Sequence, residues 1–510
     1  MLIKCLMLTV FFAVMIGIGL YCRSHAADVK GFVLGGRSVG PWLTAFAYGT
    51  SYFSAVIFVG YAGQFGWKYG IASTWIGIGN ALIGSMLAWI VLGRRTRIMS
   101  QYLDSATMPE FFGQRFQSRP LKIGASLIIF LFLIPYTASL YNGLSRLFSM
   151  AFSIDYTICI VLMAVFTGIY VIAGGYMATA INDFIQGIIM LIGIAAVIAA
   201  VLCSKGGFMN ALQDLAAVED ASVSSSPGVF ASFFGPDPLS LLSVILLTSL
   251  GTWGLPQMVQ KFYAIRSETA IQTGMIVSTV FALIVAGGCY FLGGFGRLFS
   301  ESIDVAVNGY DSIIPTMLSD LPDVLIALVI ILVLSASMST LSSLVIASSS
   351  TLTIDVIKDN IVADMSEKKQ LTCIRFLIVV FIAVSVVIAI IQYKGNLSFI
   401  AQLMGISWGA LAGSFLAPFL FALYWRKTSL AACWTCFLFG SGVMIANMLF
   451  PQLFPPLLQS PINAGAFVML AGFVIVPVVS LLTPKPDPIF IRHAFSCYEK
   501  KVEAAQKLTL

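Results

Sequence analysis

The chain has 510 residues, of which 59% are hydrophobic and only 10% are charged, with a formal net charge of +6. Soluble domains carry about 25% charged residues, so this chain cannot cover itself with a charged shell. The composition excludes a soluble protein, no nucleic-acid-binding motif is present, and a polytopic all-α membrane protein in contact with the lipid bilayer is predicted.

Thirteen apolar segments recur along the chain. Most have at least about 18 residues, enough to cross a hydrocarbon core of ~30 Å at ~1.5 Å per residue. The predicted spans are residues 2–21, 41–63, 71–93, 121–145, 156–176, 181–202, 239–260, 271–296, 323–353, 371–392, 396–424, 429–450 and 462–482. The first could also be a cleavable signal peptide, because Lys4 precedes it and SHAAD follows it. Three basic residues follow this segment and one precedes it, which favours a retained helix.

The distribution of lysine and arginine predicts the orientation. With thirteen spans the two termini lie on opposite sides, and an N-terminus outside the cell places 22 of the 28 basic residues in cytoplasmic segments. This bias agrees with the positive-inside rule. We therefore expect a multi-pass protein of the cell membrane with a cytoplasmic C-terminus.

Two spans contain helix-breaking residues at their centres. The second reads PWLTAFAYGTSYFSAVIFVGYAG, and the seventh reads LLTSLGTWGLPQMVQKF with Gly251, Gly254 and Pro256. Each span begins a block of five, and interrupted helices at matching positions of two halves indicate a secondary transporter with inverted repeats.

Asp183 is the one acidic residue predicted to lie inside a span. Intramembrane carboxylates usually face a cavity or an ion path, but an aspartate near a helix start can also be a cap. Position alone leaves both readings open. No lysine or arginine is predicted at mid-membrane, since Lys261 and Arg266 fall in a cytoplasmic segment after the seventh span.

The ninth span ends in SASMSTLSSLVIASSS, residues 335–350, after a continuous apolar run. Helical spacing places four residues near one face, with Ser342 beside them: Ala336, Ser339, Thr340 and Ser343. Small residues allow close helix packing, which accounts for one or two serines better than for a cluster. Hard cations prefer oxygen ligands, so the cluster predicts Na⁺ binding.

A symporter is the function that these features favour. A channel needs a polar stripe across several spans, which is absent from the sequence. An enzyme needs paired carboxylates, a histidine cluster or an activated nucleophile, yet the two histidines, His25 and His493, fall in cytoplasmic segments. Proton coupling needs intramembrane acids or histidines, and Asp183 alone supports it weakly.

Four stretches resemble the sodium:solute symporter family, which includes bacterial proline and pantothenate permeases, sialic acid transporters and sodium/glucose transporters. They are FVLGGRSVGPWLTAFA, IAGGYMATAINDFIQG, SMSTLSS with ASSSTLTIDVIK, and SWGALAGSFLAPFLFALYWRK. The resemblance implies a leucine-transporter-like five-plus-five inverted repeat. The expected parts are a first helix with a cytoplasmic loop (1–40), the first repeat (41–202), an extracellular loop (203–238), the second repeat (239–424), two further helices (425–483) and a cytoplasmic tail (484–510).

The resemblance also implies ligand sets for the coupling ion. A first sodium would bind the carbonyl oxygens of Thr50, Phe53 and Ala336 with the hydroxyls of Ser339 and Thr340. Some family members hold a second sodium, which maps here onto Asp183, Ser342 and Ser343 and shares Ser339 and Thr340. No obligate protein partner is evident.

The solute is expected to be an amino acid or a small carboxylate, with a sugar or sialic acid as the alternative. Proline permeases carry an aspartate where this chain has Tyr52, which weakens proline as the solute. The candidate solute-binding residues are Tyr52, Ser54, Tyr136, Asn142, Trp253 and Gln257.

Overall fold

A computed structural model describes residues 2–507 except 153, 222, 225, 304, 306–308, 359–360, 363–364 and 396–399. Helices form nearly all of this part of the chain. In order they are α1 (Leu2–Tyr21), α2 (Val29–Leu34), α3 (Pro41–Tyr52), α4 (Val56–Tyr102), α5 (Met108–Phe116), α6 (Arg119–Phe152), α7 (Tyr156–Ser204), α8 (Phe208–Ala216), α9 (Pro238–Leu250), α10 (Pro256–Ala264), α11 (Thr269–Gly293), α12 (Ile313–Leu318), α13 (Asp323–Thr351), α14 (Glu367–Gly395), α15 (Ile400–Tyr424), α16 (Leu430–Leu449), α17 (Pro461–Leu482) and α18 (Pro488–Lys507).

Ten helices of the described residues are long and apolar enough to cross a membrane, or eleven if the bent pair of α9 and α10 is one span. Helix α4 has 47 residues and α7 has 49, about twice the ~20 residues that one crossing needs. Each contains a glycine with positive φ, Gly70 at 61° and Gly175 at 55°, a conformation that glycine adopts without steric cost. The polytopic all-α fold is confirmed, whereas the number thirteen stays a prediction.

Helix α13 lies at the centre of the bundle. Every side chain from Val329 to Thr351 is buried, and the helix packs against α3, α6, α7 and α14. A helix that is covered on all sides belongs to the core. Its run of hydroxyl residues therefore faces other helices and not lipid.

Helix α1 is part of this bundle. It packs against α7 and α13, the side chain of Met15 is buried, and the Asn182 amide donates to the Met15 carbonyl oxygen at 3.4 Å. Lys4 forms an ion pair with Asp323 at 2.9 Å. These contacts make α1 part of the described bundle, whereas its retention in the mature protein stays a prediction.

Glycines bring the backbones of α4 and α11 into direct contact. A Cβ atom at Gly66 would lie 2.0 Å from the Gly293 carbonyl oxygen, and one at Gly293 would lie 2.1 Å from the Ala62 carbonyl oxygen. Small residues permit this approach between membrane helices. Since the obstructing atoms are backbone, no side-chain rotation can make room for a methyl group.

We predict that Gly66→Ala lowers stability in detergent, because overpacking a close contact costs about 1–3 kcal/mol. The measurement is the melting temperature of the purified protein. The matched control is Gly442→Ala in α16, where a Cβ atom would meet nothing within 4 Å and alanine is the better helix former. Equal melting temperatures for the two variants would contradict the contact.

Candidate functional site

The first interruption falls immediately after α3. This helix ends at Tyr52, and Phe53 has an extended backbone with φ −85° and ψ 122°. The chain turns through Ser54, whose hydroxyl accepts from the Val56 N–H at 3.3 Å, before α4 begins. Carbonyl groups in the last turn of a helix have no donor from a following turn, so the interruption presents backbone oxygens inside the bundle.

The second interruption separates α9 from α10. A short turn at Gly251–Gly254 leads into Leu255, which is extended at φ −83° and ψ 125°, and Pro256 begins α10. The two helices are bent by 48°. Proline has no N–H and disfavours helical geometry in the residue before it, which explains the break. Both interruptions expected from the sequence are thus present.

The hydroxyl of Thr340 on α13 meets the first interruption. It lies 3.3 Å from the Thr50 carbonyl oxygen, 3.2 Å from that of Phe53 and 3.1 Å from that of Ala336. The neighbouring Ser339 hydroxyl donates to the Thr50 hydroxyl at 2.7 Å. The structure therefore gathers all five residues of the expected first sodium set, and every one is buried.

This cluster holds more acceptors than it has protons to share. One hydroxyl carries one proton, so Thr340 can donate to one of the three carbonyl oxygens at a time. The donor set is neutral oxygen throughout, which is the chemistry that a hard cation of low charge requires. The residues fit Na⁺, although the ligand set itself stays a prediction.

A second polar cluster lies beside the first. The Lys261 ammonium nitrogen is 4.0 Å from Asp183 Oδ2 and donates to the Ser343 hydroxyl at 3.1 Å. The hydroxyl oxygens of Ser343 and Ser51 are 3.0 Å apart. Ser342 turns away from this group, since its hydroxyl donates to the Ser339 carbonyl oxygen at 2.8 Å.

The environment of Asp183 is not that of a helix cap. The residue lies eight positions after Gly175, well inside α7. Neither carboxylate oxygen accepts a hydrogen bond of normal geometry from the described residues, although Ser339 is near enough to interact with the charge. An N-cap aspartate would accept from backbone N–H groups, so this geometry favours the ion-site reading.

The sequence placed Lys261 in a cytoplasmic segment after the seventh span, but the structure buries its side chain inside the bundle, where Asp183 faces it. Helix α10 continues to Ala264, and the Lys261 side chain is 1% exposed. A lysine at the end of an apolar run ordinarily marks a loop, but here it is retained inside by a carboxylate from α7. Asp183 and Lys261 lie in segments that are far apart in the sequence. No local pattern therefore predicts that they form a pair.

The candidate solute residues separate into two groups. The Tyr136 hydroxyl lies beside Ser54 and Trp408 without a hydrogen bond of normal geometry, and both amide atoms of Gln257 are buried without a partner among the described residues. The structure adds Trp408, whose ring packs edge-on against Tyr136 with centroids 5.8 Å apart. Its indole nitrogen is also unpartnered within the described chain.

The other candidates are held by neighbours or are not described. The Trp253 indole donates to the Ile83 carbonyl oxygen at 3.0 Å. The Asn142 amide donates to Gln392 at 3.1 Å and accepts from the Tyr156 hydroxyl. The side chain of Tyr52 lies outside the described residues.

Two cavities of very different volume lie toward the two ends of α13. A polar cavity of about 750 Å³ lies at the end that carries the 203–238 segment, lined by residues that include Gln64, Lys68 and Arg297. Toward the C-terminal end of α13, Tyr263 and Ala347 border a space of about 10 Å³, which is about the size of one water molecule.

Comparison with known proteins identifies relatives of the whole chain. A model of the sodium:solute symporter family matches residues 32–440. Proteins named sodium/proline symporter from Staphylococcus aureus strains JH9 and COL are 29% identical over 495 residues, covering 94% of this chain and 93% of theirs.

Solved structures share the fold at lower sequence identity. A Na⁺-coupled sialic acid symporter in a substrate-bound outward-open state superposes with a TM-score of 0.73 at 16% identity, covering 95% of this chain and 99% of its own. A manganese transporter of Eremococcus coleocola has a TM-score of 0.51 at 13% identity, with coverage of 91% and 96%. The architecture is therefore the leucine-transporter-like fold.

Proposed function

This chain belongs to the sodium:solute symporter family, and from that membership we propose that it carries an amino acid or a small carboxylate into the cell together with sodium. The family consists of transporters and not of enzymes, and sodium-coupled symport is its activity. The N-terminus lies outside and the C-terminus in the cytoplasm, an orientation that the distribution of basic residues supports.

The observation that carries the proposal is the convergence on the Thr340 hydroxyl. Three carbonyl oxygens lie within 3.3 Å of it, in a buried setting where Na⁺ would replace its water shell with protein oxygens. The first sodium then binds Thr50, Phe53 and Ala336 through carbonyl groups, and Ser339 and Thr340 through hydroxyl groups.

This position explains how an ion gradient can move a solute. The sodium ligands come from the broken end of α3, in the first predicted repeat, and from α13, in the second. A bound ion joins the two elements, and it stabilises whichever conformation holds its five oxygens at coordination distance. A ligand shifts a conformational equilibrium only by its differential affinity for the two states, and this bridging geometry supplies the difference.

The proposed solute class follows from the relatives and from the broken helices. Relatives at 29% identity are named sodium/proline symporters, and the N-terminal end of α10 is available to a carboxylate through the positive end of its helix dipole. This chain has Tyr52 where proline permeases have an aspartate, which argues against proline itself as the solute. Sialic acid or a sugar is the alternative, and proton coupling is the alternative to sodium.

We propose that the solute binds near Ser54, Tyr136, Trp408 and Gln257. Their buried polar atoms have few partners among the described residues, and an unpaired buried donor is costly unless a ligand supplies the missing bond. Gly251 supports this location, since a Cβ atom there would lie 3.5 Å from the Trp408 ring, which links the ring to the second interruption.

We predict that Thr340→Val raises the sodium concentration for half-maximal uptake by about 5- to 150-fold. Valine keeps the branched shape but removes one ligand oxygen, and an unmade polar contact in a buried site costs about 1–3 kcal/mol. The measurement is sodium-dependent uptake in proteoliposomes. Thr340→Ser is the matched control because it keeps the hydroxyl, and unchanged sodium dependence in both variants would refute the first sodium site.

A panel of solutes tests the proposed class. Proteoliposomes with an inward sodium gradient should accumulate at least one of proline, other amino acids and short-chain carboxylates, whereas a potassium gradient of the same size should not drive uptake. If only sialic acid or a hexose accumulated, the proposed solute class would be wrong, but sodium coupling would stand. Uptake driven equally by a proton gradient without sodium would overturn the proposal.

We predict that Trp408→Phe raises the KM for the transported solute about 2- to 10-fold, as expected for one lost hydrogen bond of about 0.5–1.5 kcal/mol, with little change in sodium affinity. Trp253→Phe is the matched substitution. Its indole already donates to Ile83, so it should lower the melting temperature and leave KM unchanged. If Trp253→Phe raised the KM and Trp408→Phe did not, Trp253 would be the solute-binding tryptophan, as the sequence predicts.

A further inference from the structure

Lys261 lies in a complete cation-binding environment. Its ammonium group is 4.0 Å from an oxygen of Asp183, donates to the Ser343 hydroxyl at 3.1 Å and lies 4.9 Å from the centre of the Tyr176 ring. A carboxylate, a hydroxyl and an aromatic face each stabilise a buried ammonium ion. The lysine is therefore held in place and not merely enclosed.

The same groups form most of the expected second sodium site. That site was assigned to Asp183, Ser342 and Ser343, with Ser339 and Thr340 shared. In the structure the carboxylate has Lys261 as its counter-charge. The Ser343 hydroxyl accepts from Lys261 and is paired with Ser51 at 3.0 Å, so both sides of this hydroxyl are already engaged.

We propose that the Lys261 ammonium is the resident cation of this second site and takes the place of a second sodium ion. The inference rests on the proposed sodium-coupled function. It deepens that function by assigning one sodium ion to each transport cycle, bound at Thr340, and a protein-supplied charge at Asp183.

Charge balance supports this assignment. Asp183 and Lys261 neutralise each other, and no other ionised group among the described residues contributes to the electrostatics of either one. A sodium ion added beside them would leave one net positive charge in a buried, water-poor site, which is unfavourable in the membrane interior. Sodium and the ammonium therefore exclude each other at Asp183.

The number of ions sets the limit on accumulation. Each additional charge that moves inward with the solute is worth about 50-fold in accumulation at 100 mV. A tethered ammonium does not cross the membrane, so it balances Asp183 without adding this driving force. The wild-type protein should accordingly move one net charge with each uncharged solute.

The test counts sodium ions on the purified protein by equilibrium binding of ²²Na⁺, which needs no knowledge of the solute. Wild type should bind one ion with a Hill coefficient of about one, since that coefficient cannot exceed the number of sites. Lys261→Met removes the ammonium and leaves Asp183 free for a second ion, so binding should rise to two ions per protein. Lys261→Arg keeps the positive charge and should bind one.

The double variant Lys261→Met with Asp183→Asn removes both charges together. It avoids an unpaired buried charge, so it remains informative if Lys261→Met alone does not fold. We expect it to bind one sodium ion with wild-type affinity, because Asp183 is not a sodium ligand when Lys261 is present. If wild type binds two ions and the double variant binds one, the second-sodium assignment is correct and the inference is wrong.

Failure of this inference is distinguishable from failure of the proposed function. Two ions on wild type, or one ion on folded Lys261→Met, would refute the role of Lys261 but retain sodium coupling. Absence of any saturable sodium binding to wild type would instead refute the function itself. Thr340→Val serves as the control for the first site, since it should weaken binding in the wild-type and Lys261→Met backgrounds alike.

Discussion

A helix that ends within a membrane leaves carbonyl groups that bulk water cannot satisfy, and the rest of this structure is arranged around that constraint. Backbone polar groups inside a bilayer must find partners within the protein. Helix α3 ends at Tyr52, and the oxygens exposed there turn toward the hydroxyl of Thr340 on α13. One element supplies unpaired acceptors and the other supplies a hydroxyl-rich face, so neither would be stable in this form alone.

The central position of α13 follows from the same constraint. A hydroxyl-rich helix exposed to lipid would leave its oxygens without partners, but neighbours surround α13 through its last six turns. Its serines also satisfy other irregular backbone, since the Ser337 hydroxyl accepts from the Ala55 N–H at 3.2 Å just after the first interruption. The polar residues in this helix thus stabilise the broken helix whether or not an ion is bound.

The sequence predicted those features that depend on local spacing. The hydroxyl face of α13 follows from helical periodicity, and the second interruption follows from glycine and proline. The first interruption lies in the expected span but falls at Phe53, whereas Gly49 lies inside α3. The burial of Lys261 depends on a carboxylate 78 positions earlier in the chain, and no periodic pattern reports such a pairing. Trp253 and Asn142 illustrate a related limit, because a polar side chain in a span can equally serve a neighbouring backbone carbonyl or another side chain.

The contact between Gly66 and Gly293 has a mechanical consequence. With backbone against backbone, neither α4 nor α11 can roll or slide past the other at that point without atomic collision. The segments around this contact must travel as one rigid unit during any conformational change. We therefore expect hinge motion at other helix contacts, where the interface consists of side chains that can change rotamer.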